Sequence, residues 1–217
     1  MEQHHSDQQA ILRAAGAVFD ELGYDRATMY EIAVRAGIGE RVVRFLFPSK
    51  EDLALAVIRA QIALVDIEPQ ELKLQELYDI AQFVAHQMAF DPIMRGAARI
   101  VVEQSAQHLD RTQSMHGWTT ITEDLLTLAR EHGELQSRVD ITKSAEIFVE
   151  SFVGAQTVSQ AFAGRRDLCR RISTLFSNIL ESIATPATYE RLDLSPGRGE
   201  VVTRELRIGQ HGAPPAR

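Results

Sequence analysis

Residues 28–53, TMYEIAVRAGIGERVVRFLFPSKEDL, decide the fold. Thr28 can cap the free N–H groups of the turn that follows it. Glu31, three residues on, can reach back to the Thr28 N–H as a capping box, so a helix starts there. Ile32 supplies core and Ala33 permits close helix approach. Gly37 stands where the chain must turn, at a positive φ that glycine adopts without strain. A second short helix runs from about Gly39 to Leu46. Ile38, Val42, Val43 and Phe47 can pack inward, which leaves Gly39, Glu40, Arg41, Arg44 and Phe45 facing outward. Pro48 closes this helix, because the residue before a proline is pushed out of helical conformation. Ser49 caps a third helix, with Asp52 at the capping-box position and Lys50 at its mouth. The layout is that of a helix-turn-helix, whose second helix reads a DNA major groove.

Two short helices joined by a glycine are common, and the neighbouring segment makes the pattern specific. Ile11, Leu12, Ala15, Val18, Phe19 and Leu22 form an i, i+3, i+4, i+7 stripe ended by Gly23, so a first helix packs across the pair. The run ILRAAGAVFDELGYDRATMYEIAVRAGIGERVVRFLFPSKEDLALAVI, within a similarity covering roughly residues 8 to 65, resembles the N-terminal domain of TetR-type transcriptional regulators. Further on, DPIMRGAARI (91–100), Trp118 and AEIFVESFVGAQTVSQAFAGRRDL (145–168) resemble the effector domain of the γ-butyrolactone receptor branch, which controls antibiotic production in filamentous actinobacteria.

The resemblance implies a repressor that binds a pseudo-palindromic operator as a dimer and is released by a small signalling molecule such as a γ-butyrolactone, furan or butenolide. It also implies that Thr28 and Lys50 hold phosphates. The chain departs from the family at the reading helix. Where TetR-type proteins read close to VSKGTLYHHF or VTKGALYFHF, this chain has IGERVVRFLF over 38–47. Gly39 replaces the hydroxyl, Glu40 the lysine, Arg41 the glycine, Arg44 the tyrosine and Leu46 the histidine. Glu40 repels phosphate unless it accepts from a cytosine amine or pairs with Arg44 at i+4. A protein that kept the fold but lost effective DNA binding, and that sequesters a signal or pairs with a paralogue, is the alternative.

A chain of 217 residues that is 45% hydrophobic can bury two α-helical cores without disulfides or metal. The single cysteine, Cys169, excludes an internal disulfide and a cysteine zinc cluster, and fits a reducing cytoplasm. No apolar run approaches the ~20 residues that span a bilayer, and MEQHHSDQQA has no signal-peptide core, so a cytoplasmic location is expected, away from any membrane. The formal charge of −7 sits poorly with DNA, since phosphate neutralisation supplies most non-specific affinity. Placement outweighs the total: residues 41–50 hold Arg41, Arg44 and Lys50 and no acid. His4, His5, His86, His108, His116, His132 and His211 lack metal-ligand spacing, and neither a GxSxG nor a phosphate loop occurs, so neither an enzyme nor a cofactor site is expected.

Helical periodicity and caps predict an all-α chain of about nine helices: a DNA-binding domain over 1–50, a helical ligand-binding and dimerisation domain over 51–184, and a flexible tail over 185–217. The tail holds four of the seven prolines. VVTRELRI (201–208) inside it is compatible with either a short strand or a helix. The helix opened by Ser49 is expected to reach about Val65 and to act as the lever between domains. Leu77, Tyr78, Ala81, Gln82, Ala85, Trp118, Ile121, Leu125, Phe148 and Phe152 are candidate walls of a ligand pocket, with Gln82, Thr122, Gln156 and Thr157 as polar contacts. By spacing alone Trp118 reads as core; in γ-butyrolactone receptor-like proteins a tryptophan at this place lines the cavity, so the resemblance implies that role. The helix over 142–163 and the last one are apolar on more than one face. Pairing each with its symmetry mate through Val158, Phe162, Leu175, Phe176 and Ile179 gives a homodimer.

Overall fold

The computed structural model describes residues 2–65, 67–103, 109 and 112–211, and within them every regular element is helical. Eleven helices follow in order: α1 (Glu2–Arg26), α2 (Met29–Ala36), α3 (Glu40–Leu46), α4 (Lys50–Ala63), α5 (Lys73–Gln87), α6 (Pro92–Val102), α7 (Thr112–Glu131), α8 (Ile141–Ala163), α9 (Leu168–Ile183), α10 (Pro186–Tyr189) and α11 (Arg198–His211). The first nine match the periodic segments of the sequence. The two beyond them lie in the stretch expected to be a flexible tail.

The chain forms two compact units, Met1–Leu64 with Phe90–His116, and Val65–Ala89 with Gly117–Arg217. The boundary expected at residue 50 is therefore displaced. Leu53, Ala54, Val57 and Ile58 of α4, with Ile93, Ala97 and Ile100 of α6, join Ile11, Ala15, Val18, Phe19, Ile32 and Val43 in one buried cluster. Three helices of 50 residues cannot enclose their own apolar faces, and α4 and α6 complete the enclosure. α4 ends at Ala63 and lies wholly in this first unit.

α1 and α6 cross at a pair of glycines. A Cβ on Gly16 would lie 2.5 Å from the Pro92 carbonyl oxygen, and one on Gly96 would lie 2.6 Å from the Gly16 Cα. The end of α1 is held as well: Arg95 pairs with Asp20 at 2.8 Å, Arg99 donates to the Asp20 carbonyl, and the Glu103 carboxylate accepts the Tyr24 N–H at 2.8 Å.

In the second unit α5 packs against α9 and α11, and α8 against α9. α5 starts at Lys73, and its N-cap Leu72 gives no side-chain cap. The buried carboxylate of Glu134 supplies it from 60 residues away, accepting the N–H groups of Lys73 (2.8 Å) and Leu74 (2.9 Å). An anion at a helix N-terminus offsets the macrodipole and satisfies free donors.

Residues 185–211 correct the expectation of a loose tail. The Tyr78 hydroxyl reaches the carbonyls of Leu194 (2.7 Å) and Ser195 (2.9 Å), Arg198 forms a two-pronged pair with Asp79, and Gly199 lies against the backbone of Gln82. Val202 and Thr203 are buried. Proline and glycine here mark turns between docked elements: Pro186 opens α10 behind the Thr185 cap, and Gly199 permits the close approach.

Candidate functional site

The helix-turn-helix is built as its residues dictate. The Thr28 hydroxyl accepts the Glu31 N–H at 3.1 Å, while the Glu31 carboxylate accepts the Thr28 N–H at 2.9 Å. Gly37 ends α2 in the left-handed region (φ 68°), and its N–H returns to the carbonyls of Ala33 and Val34. Gly39 precedes α3, with no side chain to cap it. Ser49 and Asp52 complete the second capping box, at the start of α4. Arg35 makes a forked pair with Glu21 at 2.7 and 2.8 Å, which ties α2 to α1.

α3 is fixed by the buried Val43, with Phe47 buried just past its end and Ile38 and Leu46 partly buried beside them. Val42, expected inward, is 39% exposed. One residue is about 100° around a helix, so with Val43 facing the core Val42 falls to the side. Phe45 is 76% exposed, and Thr28, Gly39, Arg41 and Arg44 also face solvent.

Glu40, Arg44 and Lys50, all expected at DNA, have partners within the protein. Glu40 and Arg44 close an i,i+4 ion pair, with Nε at 2.8 Å and Nη2 at 2.7 Å from one carboxylate oxygen. This is the pairing that removes a bare carboxylate from the reading face. The Lys50 ammonium donates to the carbonyls of Tyr24 (2.8 Å), Ala27 (3.1 Å) and Asp25 (3.3 Å), and lies 4.4 Å from the centroid of the Tyr24 ring. Its three donors close the chain that leaves α1, a C-terminal cap supplied by a cation.

Sequence reasoning missed Tyr30 and Val34, both 64% exposed on α2. With Met29, Ile32 and Ala33 buried, positions 30 and 34 fall on the opposite face of that eight-residue helix, and this could have been read from the period.

The candidate pocket residues are spread over several contacts. Leu77, Tyr78, Ala81, Gln82 and Ala85 are buried on α5, but Tyr78 and Gln82 are engaged in fastening other segments. The Gln82 amide donates to the Tyr78 hydroxyl (2.9 Å) and to the Cys169 carbonyl (3.1 Å), while its own carbonyl oxygen is buried without a partner. Burial pushes the Tyr78 phenol and the Cys169 thiol above their usual values, so neither ionises readily. On α7, Trp118 and Ile121 are half-buried and Thr122 and Leu125 buried; the Thr122 hydroxyl donates to the Trp118 carbonyl at 2.8 Å. Phe148 and Phe152 of α8 face Phe176 of α9, with ring centroids 4.9 and 6.5 Å apart. Gln156 is buried, and Thr157 is exposed.

The same geometry sorts the dimer candidates. Phe162 is 82% exposed and Val158 is exposed on the same helix. Leu175 and Ile179 are half-buried on α9. Phe176 is buried within the protomer against Phe148, which corrects its placement on a free face: position 176 shares the inward stripe of Leu168, Ile172, Leu180 and Ile183.

Among the described residues no group of three or more His, Cys, Asp or Glu side chains is placed to hold a metal ion, and no helix is long and apolar enough to cross a membrane. His108 lies outside the described residues.

Comparison with known proteins matches this architecture. Residues 11–57 fit the model of bacterial regulatory proteins of the tetR family. The A-factor receptor protein of Streptomyces griseus is 34% identical over 203 residues, covering 91% of this chain and 73% of that protein. The crystal structure of full-length native TylP, a TetR regulator from Streptomyces fradiae, superposes with a TM-score of 0.87 at 38% identity, over 92% of this chain and 96% of that one. A γ-butyrolactone receptor structure (ArpA-like protein) shares the fold at 22% identity and a TM-score of 0.68, over 97% of this chain and 100% of that one. The chain belongs to the TetR family and is a transcriptional regulator related to the A-factor receptor.

Proposed function

We propose that this protein is a ligand-responsive repressor of the cytoplasm. A homodimer places two copies of α3 in successive major grooves of a pseudo-palindromic operator, and a small γ-butyrolactone, furan or butenolide in the second unit releases it. The observation that carries this reading is α3 itself: a short helix anchored by Val43 and Phe47 that presents Arg41, Val42, Arg44 and Phe45 to solvent. Kinship with the A-factor receptor supports the class of effector, and the exposed Phe162 and Val158 support pairing of α8 with its mate. Release requires only that the ligand prefer the non-binding state by ~1 to 3 kcal/mol.

A second reading has its own support. With Glu40 on Arg44 and Lys50 on backbone carbonyls, a chain of net charge −7 offers DNA little free positive charge, as a ligand-sequestering or heterodimerising protein would. A salt series of binding to the protein's own promoter region separates the two. A repressor gives a specific complex at least ~10³-fold tighter than its non-specific binding; uniformly weak binding rejects repression.

Arg44 tests the contact directly. An exposed i,i+4 pair is worth only ~0.3 to 0.5 kcal/mol, less than a charge-assisted bond to phosphate, so DNA can draw Arg44 off Glu40. Arg44→Ala should weaken binding to all sequences and lower the salt slope by about 1 for each bound α3. An unchanged slope would mean that the ion pair persists on DNA.

Trp118, the only tryptophan, reports on the effector site. A γ-butyrolactone should change its fluorescence saturably. Trp118→Ala should abolish the effector response while operator binding and the melting temperature stay near wild type. A core role predicts instead a loss of about 3 to 5 kcal/mol, with both functions failing together.

A further inference from the structure

We propose that α3 reads the 5-methyl groups of thymine through Phe45 and Val42, and that this apolar contact, rather than an arginine-to-guanine bond, sets its main sequence preference. The inference rests on the operator-binding reading above and deepens it. Val42 and Phe45 are three residues apart and share one face of α3. Phe45 is 76% exposed, whereas Val43 and Phe47 are buried, so the local fold has inward places for large apolar groups and this phenyl ring occupies none.

The charges on the same helix point the same way. Glu40 and Arg44 neutralise each other, which leaves Arg41 as the one cation of α3 without a partner among the described residues. A face of one aromatic ring, one branched aliphatic side chain and one arginine suits a surface that is largely apolar with an anion at its edge. In the major groove the thymine methyl is the apolar mark on a base edge, and phenylalanine is among the side chains that meet it. Arg41 then falls to a flanking phosphate or a purine.

The test uses the full-length protein and a random double-stranded DNA pool from which it enriches a preferred duplex. Each thymidine of that duplex is then replaced singly by deoxyuridine, which removes the methyl and keeps the pairing. Wild-type protein should lose about fourfold in affinity at one or two positions, the effect of withdrawing one methyl-sized apolar contact. At the thymidine that Phe45 meets, Phe45→Ala should bind thymidine and deoxyuridine duplexes equally, and Phe45→Leu should retain part of the discrimination. Both variants should melt as wild type does, because the side chain is exposed. Deoxyuridine effects within twofold at every position would overturn the proposal, as would a Phe45→Ala loss that is equal on every duplex. A shift in oligomeric state with discrimination retained would assign the ring to a protein contact and likewise overturn it. Failure to enrich any duplex would overturn the operator-binding reading itself, and this inference with it.

Discussion

Arg198→Ala is expected to destabilise the second unit by about 3 to 5 kcal/mol, the cost of removing one partner of a buried ion pair. Asp79 is fully buried on α5, and Arg198 reaches it with two donors, Nε at 2.9 Å and Nη2 closer still. Without Arg198 the carboxylate keeps, among the described residues, only the Gln75 amide at 2.8 Å as a side-chain donor, so a charge remains in a poorly solvated place. Chemical denaturation of the variant should show a lower midpoint. Asp79→Asn in the Arg198→Ala background should restore much of the loss, because the uncompensated charge is then gone. A surface pair would give less than 1 kcal/mol and no such rescue. A variant within 1 kcal/mol of wild type would therefore show that α11 is not fastened through this pair. Deletion after residue 192 should be at least as harmful, since it also removes the carbonyls that accept the Tyr78 hydroxyl.

Gly96→Ala should destabilise the first unit by about 3 kcal/mol, the upper end for overpacking. Two effects oppose each other. Within a helix, alanine is favoured over glycine by about 1 kcal/mol. Against that, the new Cβ would meet the backbone of Gly16, which cannot rotate away as a side chain could. The backbone clash wins, and α1 and α6 must part. Because α2 rests on α1 through the Arg35–Glu21 pair and the shared core, operator binding should fall further than the melting temperature alone accounts for. A variant more stable than wild type would mean that the crossing opens at little cost and that the glycines are there for another reason.

The sequence by itself determined whatever is decided within a few residues. The Thr28–Glu31 and Ser49–Asp52 boxes, the left-handed turn at Gly37, the Asp91–Pro92 start of α6 and the Gly164 end of α8 all stand where local chemistry puts them. Each depends only on groups of the same turn or the next, so no distant part of the chain has to be known. The family was legible for the same reason, its signature lying in one continuous stretch that the comparisons match over residues 11–57.

Tertiary structure alone decided where α5 begins, because its cap comes from Glu134. It gave Lys50 to the carbonyls at the end of α1, and it turned Tyr78 and Gln82 to the docking of the C-terminal segment and to α9. It also ordered residues 185–211. Composition marks that stretch as loose because proline and glycine raise the freedom of an isolated chain, but composition does not record the buried acid at 79 that fixes Arg198 in place. Each of these outcomes depends on which groups lie unsatisfied elsewhere in the molecule, and a buried donor or acceptor takes whatever partner the fold brings within reach.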